Sequence, residues 1–131
     1  MQTHRCDSFK DARAERYFDI FRSLEGQITV SFVAPHQISG WHQHRIQTDQ
    51  WFVAKGRLKI ATIDDGGRIE EHELIGPADG EVVTIPPGLW HGWRSYDQEV
   101  LLIYYLSRKH DEADEIRATD VEIYQRYGYR L

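Results

Sequence analysis

The chain holds no long apolar run; its hydrophobic residues come in short stretches separated by turn-forming residues. The stretches are YFDIF (17–21), QITVSFV (27–33), WFVA (51–54), RLKIATI (57–63), EVVTI (81–85) and VLLIYYL (100–106). Between them stand Glu25-Gly26, Ser39-Gly40, Lys55-Gly56, Asp65-Gly66-Gly67, Asp79-Gly80 and Pro86-Pro87-Gly88. Glycine reaches positive φ and proline presets φ near −65°, so each of these punctuates the chain. Partial period-2 alternation and β-branched or aromatic residues mark the stretches as strands with one face on a core. About eight such strands and no helical layer predict an all-β fold, a small barrel or jelly roll. Residues 1–15 are polar and irregular and predict an N-terminal arm, with the barrel over 16–131. The last stretch, RKHDEADEIRATDVEIYQRYGYRL, predicts one short helix followed by a tyrosine-rich tail.

Length and charge narrow the function. The 131 residues suit one core. A net charge of −5 with no basic block argues against a nucleic-acid partner. No segment approaches the ~20 apolar residues of a membrane-spanning helix. The opening MQTHRCDSFKDARAER has no apolar leader, and the single Cys6 cannot form an internal disulfide. Both features suit the cytoplasm.

Histidine and tryptophan are concentrated instead. In GWHQHRIQTDQWFVAKG (40–56), His42 and His44 lie two apart, so on a strand both rings project from one face. Asp49 follows five residues after His44, and Gly56 seven residues after Asp49. In GEVVTIPPGLWHGWRS (80–95), His91 comes three residues past the glycine of a Pro-Pro-Gly turn. His42, His44, Asp49 and His91 form a mixed nitrogen and oxygen donor set suited to Fe, Mn, Ni or Zn. Without a metal the same imidazoles titrate near neutrality and serve as acid and base. A strand histidine taken alone is ordinarily packed or solvated, which is the reading for His4 and His72, and Thr48-Asp49 also suits a turn cap. Trp41, Trp51, Trp90 and Trp93 flank these positions, either to stack on a ligand or to fill the barrel.

The two spaced motifs resemble those of the cupins, with Asp49 where the family usually has Glu, His36 where the first motif opens with Gly, and Ser95 where the second ends in Asn. Within the cupins, SGWHQHRIQTDQWFVAKGRLKIATIDD, VVTIPPGLWHGW and LLIYYLSRKHDEADEIR are similar to dTDP-4-dehydrorhamnose 3,5-epimerase-like proteins and dTDP-sugar 3,4-ketoisomerases. The resemblance covers roughly residues 11–120. It implies a cupin barrel that binds a nucleotide-linked keto sugar, needs no organic cofactor, and forms a homodimer through edge strands. It also implies His42 as the base, His44 as its partner in proton transfer, and Tyr104 as the acid, with Tyr105 the alternative. Ser39 stands in place of the family's arginine, Asp49 falls at about the position of its lysine, and no counterpart to the carboxylate behind its histidine is evident. Arg22, Arg45, Trp51 and Trp93 are then candidates for substrate binding. The main expectation is an epimerase or isomerase of a dTDP-linked keto sugar. A divalent-metal cupin acting as isomerase or dioxygenase on another small molecule, and a non-catalytic small-molecule-binding barrel, are the alternatives.

Overall fold

The structure is a computed structural model that describes residues 1–22, 25–77 and 80–131. Its strands are β1 (Gln2–Arg5), β2 (Asp7–Lys10), β3 (Glu15–Phe18), β4 (Gln27–Val33), β5 (Ile38–His44), β6 (Asp49–Ile63), β7 (Ile69–Gly76), β8 (Glu81–Ile85), β9 (Trp90–Ser95), β10 (Val100–Leu106) and β11 (Glu115–Ala118). A 3-10 turn covers Glu112–Asp114, and one helix, α1, spans Asp120–Tyr127. No helix among the described residues is long and apolar enough to cross a membrane.

Nine strands form one folded sheet whose two halves share β6. One half runs β1-β8-β6-β10-β4, the other β7-β6-β9-β5-β11, and every pairing is antiparallel. The expected all-β jelly roll is therefore present. Its inner core comprises Val33, Trp51, Val53, Leu58, Ile60, Leu74, Val83, Ile85, Val100 and Leu102, each adding about 1.5–3 kcal/mol by leaving water.

The alternation of β6 reverses in its middle. Before Lys55, the odd residues Asp49, Trp51 and Val53 face inward and Phe52 faces outward; after Gly56, Leu58 and Ile60 face inward while Ala61 and Ile63 face outward. A bulge causes the switch, because Leu102 pairs with Val53 but Leu101 with Lys55. Gly56 allows it: its φ is +91°, and a Cβ there would meet the Glu99 carbonyl oxygen at 2.6 Å. Lys55-Gly56 is thus a bend within one strand, not the turn its sequence suggests.

Two satellite cores cover the outer faces. The hairpin β2–β3 (a separate two-stranded sheet) and residues 19–21 lie over one half, where Phe21, Phe52, Val82 and Tyr105 pack. Over the other half, α1 and the tail cover Trp41, Ala61, Ile63, Trp90 and Ile123. The expected helix has a reciprocal cap between Thr119 and Glu122, and Gly128 ends it in left-handed conformation at φ 69°.

The N-terminal segment departs from the arm expected of it. β1 pairs with β8, opposite the buried Val82 and Val83, and the Cys6 N–H donates to the Gly80 carbonyl. Ladder bonds use backbone groups, so polar side chains do not prevent this pairing. β7, read as no strand, carries the polar run Glu70, Glu71, His72 and Glu73. Asp79, part of one expected turn, lies outside the described residues.

Candidate active site

The inward side chains of β4, β5, β6, β9, β10 and β11 line a cavity of about 400 Å³ at the open end of the jelly roll. β5 sends His42 and His44 into it while Trp41 points the other way, as the two-residue spacing requires. β9 contributes His91 and Trp93, β6 contributes Asp49 and Trp51, and β10 contributes Tyr104. The direction of the tyrosine pair is therefore fixed: Tyr104 lines the cavity, and Tyr105 is buried on the outer face, 5.8 Å from the Phe21 ring.

The three histidine rings cluster, with centroids 5.3 Å apart for His44 and His91 and 6.3 Å for His42 and His91. The edge of Trp51 closes on His91 at 5.7 Å. The surroundings of each ring give it a different character.

His42 donates its Nδ1–H to Glu115 Oε1 at 2.5 Å. β11 pairs with β5 and puts Glu115 opposite His44, two residues along the ladder from His42, whose side chain is 26% exposed. Burial pushes the Glu115 carboxyl up, but hydrogen bonds from Arg117 and His42 outweigh it and hold the group below the usual carboxylate range. An ionised carboxylate on Nδ1 leaves Nε2 as the basic nitrogen. This carboxylate, without an evident counterpart in the sequence, belongs to the DEADEIR run, 73 residues from His42.

His91 donates Nδ1–H to the Leu89 carbonyl at 3.0 Å, so its Nε2 carries the lone pair. Burial pushes this imidazole below its ordinary value against the opposing pull of Asp49, which keeps it neutral at neutral pH. Its Nε2 lies 3.8 Å from Asp49 Oδ2.

His44 meets a residue that the motif reading passed over. Gln47, 2% exposed, directs its side-chain NH₂ at Asp49 Oδ1 (2.6 Å) and at His44 Nε2 (3.3 Å). A carboxylate only accepts, so the amide nitrogen must face it. The His44 Nδ1 atom is buried without a partner. The loop carrying Gln47 is gathered by Asp114, whose carboxylate accepts from the backbone N–H groups of Arg45 (3.2 Å), Ile46 (2.9 Å) and Gln47 (3.0 Å). Burial raises the Asp114 pKa, and these three bonds more than reverse it. Adjacent acids of one segment thus hold the loop after His44 and the ring of His42.

Of the four expected metal donors, His44, Asp49 and His91 offer atoms within 4.8 Å of one another, while His42 is engaged by Glu115. Two of those three, His44 Nε2 and Asp49 Oδ1, accept from Gln47.

The expected binding arginines are elsewhere. Arg22 follows β3 on the outer face, and Arg45, just past the end of β5, donates to the Ala113 carbonyl at 3.1 Å. Trp51 and Trp93 do line the cavity, whereas Trp41 and Trp90 fill the satellite core beneath α1, with Trp41 Nε1 donating to Asp120 at 2.8 Å. The motif departures also find reasons. His36 adopts φ 57°, a conformation glycine tolerates better, and Ser95 Oγ bridges the 34–37 loop through Ala34 and Gln37. Ser39 lines the cavity.

Known proteins resemble this chain in sequence and in fold. The probable low-salt glycan biosynthesis epimerase Agl13 of Haloferax volcanii is 30% identical over 92 residues, 64% of this chain and 58% of that protein. The spore coat polysaccharide biosynthesis protein SpsL of Bacillus subtilis is 30% identical over 100 residues, covering 70% of this chain and 66% of SpsL. Each match thus spans just under two thirds of its relative or less. The crystal structure of a dTDP sugar isomerase from Desulfovibrio desulfuricans G20 superposes with a TM-score of 0.84, at 19% identity over 98% of this chain and 88% of that one. Residues 14–127 match the family described as FdtA: WxcM-like, C-terminal. With that match over most of its length, the chain belongs to the WxcM-like, C-terminal (FdtA) family.

Proposed function

We propose that this chain is an epimerase or isomerase of a nucleotide-linked keto sugar in glycan precursor metabolism. The observation that carries the reading is the His42–Glu115 pair at 2.5 Å, placed on a cavity wall with Tyr104 and two tryptophans. A histidine with a carboxylate on Nδ1 is a general base held in one tautomer. The C–H next to a ketone is acidic because the resulting enolate is delocalised. His42 Nε2 takes that proton, and the electron pair moves onto the ketone oxygen. Return of a proton from Tyr104 to the opposite face inverts the carbon; return through the His42–His44 pair to the neighbouring carbon moves the carbonyl instead. Trp51 and Trp93 offer faces for the sugar or base. Relatives named as a glycan biosynthesis epimerase and a dTDP sugar isomerase support the substrate class.

The same reading takes the working unit to be a homodimer in the cytoplasm. β4 is an edge strand whose outward residues Ile28, Val30 and Phe32 are 55%, 51% and 72% exposed, an apolar row suited to a second copy.

The test is deuterium incorporation from D₂O into dTDP-linked 4-keto-6-deoxy sugars, followed by NMR. Wild type exchanges the proton beside the ketone and H42N does not; Y104F keeps exchange but loses inversion. Absence of both exchange and binding with the wild-type protein overturns the proposal.

A further inference from the structure

We infer that Gln47 is a built-in occupant of the position a cupin metal would take, and that its amide keeps this site free of transition metal. Two imidazoles and a carboxyl group converge here, a donor set that ordinarily binds first-row divalent ions. Such an ion would need a lone pair from each at about 2.0–2.2 Å. The Gln47 amide nitrogen already lies 2.6 Å from Asp49 Oδ1 and 3.3 Å from His44 Nε2, one hydrogen for each. An amide N–H is a donor and cannot ligate. A cation would therefore have to expel it and break both bonds.

The amide has little freedom to leave. Gln47 is 2% exposed, and its backbone N–H is held by Asp114, which also holds the N–H groups of Arg45 and Ile46. The fourth expected donor, His42, cannot compensate through Nδ1, which is bound to Glu115. Within the cluster of His44, Asp49 and His91, the lone pairs that Gln47 leaves open toward one another are those of His91 Nε2 and Asp49 Oδ2, a two-donor set. The same contacts that exclude the ion give the site its order: Gln47 fixes Asp49 and accepts no proton itself, so the histidines are left to acid and base work. The inference stands whether or not the sugar reading is right, because it concerns only what the donors can hold.

The experiment compares Ni²⁺ binding to wild type, Q47A and Q47E by isothermal titration and thermal shift, without reference to activity. Q47A removes the amide and is expected to bind Ni²⁺ at least tenfold more tightly than wild type; Q47E adds a carboxylate and is expected to bind more tightly still. Introducing H91N into Q47A is expected to abolish the gain, which places the ion at this site. Wild type binding one Ni²⁺ as tightly as Q47A, or a gain unaffected by H91N, overturns the inference. Q47S takes the place of Q47A if the latter does not fold. If neither folds, the wild-type titration decides: stoichiometric micromolar or tighter Ni²⁺ binding refutes the inference, and weaker binding supports it.

Discussion

Replacing Glu115 by Gln removes one charge from the cavity wall and changes no volume. The lost contact is a charge-assisted hydrogen bond of 2.5 Å from His42 to a side chain only 8% exposed. Such bonds contribute about 1.5–3 kcal/mol, and at ~1.4 kcal/mol per tenfold this alone lowers the rate about 10- to 150-fold if the bond is fully expressed in the transition state. A second effect adds to it. The amide can turn its NH₂ toward Nδ1, which then becomes an acceptor and moves the imidazole proton to Nε2, the nitrogen that must act as base. Together the two place the loss in kcat at about 10²–10⁴-fold. KM is expected to change little, because Glu115 is argued to act through His42. The fold is expected to persist, since the second partner of Glu115 is the mostly exposed Arg117. Deuterium exchange into the keto sugar measures the effect directly. An exchange rate within threefold of wild type refutes the reasoning, for the carboxylate would then neither orient nor activate His42.

Three further outcomes are expected. Gly56→Ala forces a φ of +91° on a residue with a Cβ and drives that atom to 2.6 Å from the Glu99 carbonyl oxygen, so unfolding in urea is expected to show a loss of about 2–4 kcal/mol. Phe32→Glu places a charge in the exposed β4 row, and light scattering is expected to report monomer where wild type gives dimer. Asp114 and Glu115 both have pKa values held below the ordinary carboxylate range, so the stability they contribute is fully present above about pH 4. It is lost as pH falls through the depressed values, and Asp114→Asn is expected to flatten the acid limb of a plot of urea midpoint against pH.

The strands β4, β8 and β10 coincide with QITVSFV, EVVTI and VLLIYYL, because each is a run rich in β-branched, aliphatic or aromatic residues that ends near turn residues. β6 was harder to read because local alternation reverses at Lys55-Gly56; a bulge is stabilised by the partner strand and has the same local signature as a turn. β7 and β1 owe their existence to backbone pairing with neighbours, which polar side chains do not advertise. In the site, His42, His44, Asp49, His91 and Tyr104 were legible because they sit at fixed spacings on predicted strands. Glu115 and Gln47 were not. Glu115 reaches His42 only through the β5–β11 pairing, and Gln47 belongs to no titratable class, so nothing in its type signals a contact with two donors. The acid-rich DEADEIR run was the one available hint for Glu115. Arg22 and Arg45 are not among the residues lining the cavity for a related reason: charge suggests a ligand but says nothing of the face on which a residue stands.

The shared strand β6 has a consequence for errors in assembly. Its first half presents Asp49 and Trp51 to the cavity and Phe52 to the outer layer, and its second half presents the opposite parity. Pairing one residue out of step would send Gln50 and Phe52 into the cavity and Asp49 into an apolar outer layer, turning the cavity wall inside out. The bulge stands against this, because a slip that suited one half would have to carry the kink past the Glu99 carbonyl, where only glycine fits. Gly56 thus acts as a keyed joint: a residue with no side chain decides which side chains face the cavity.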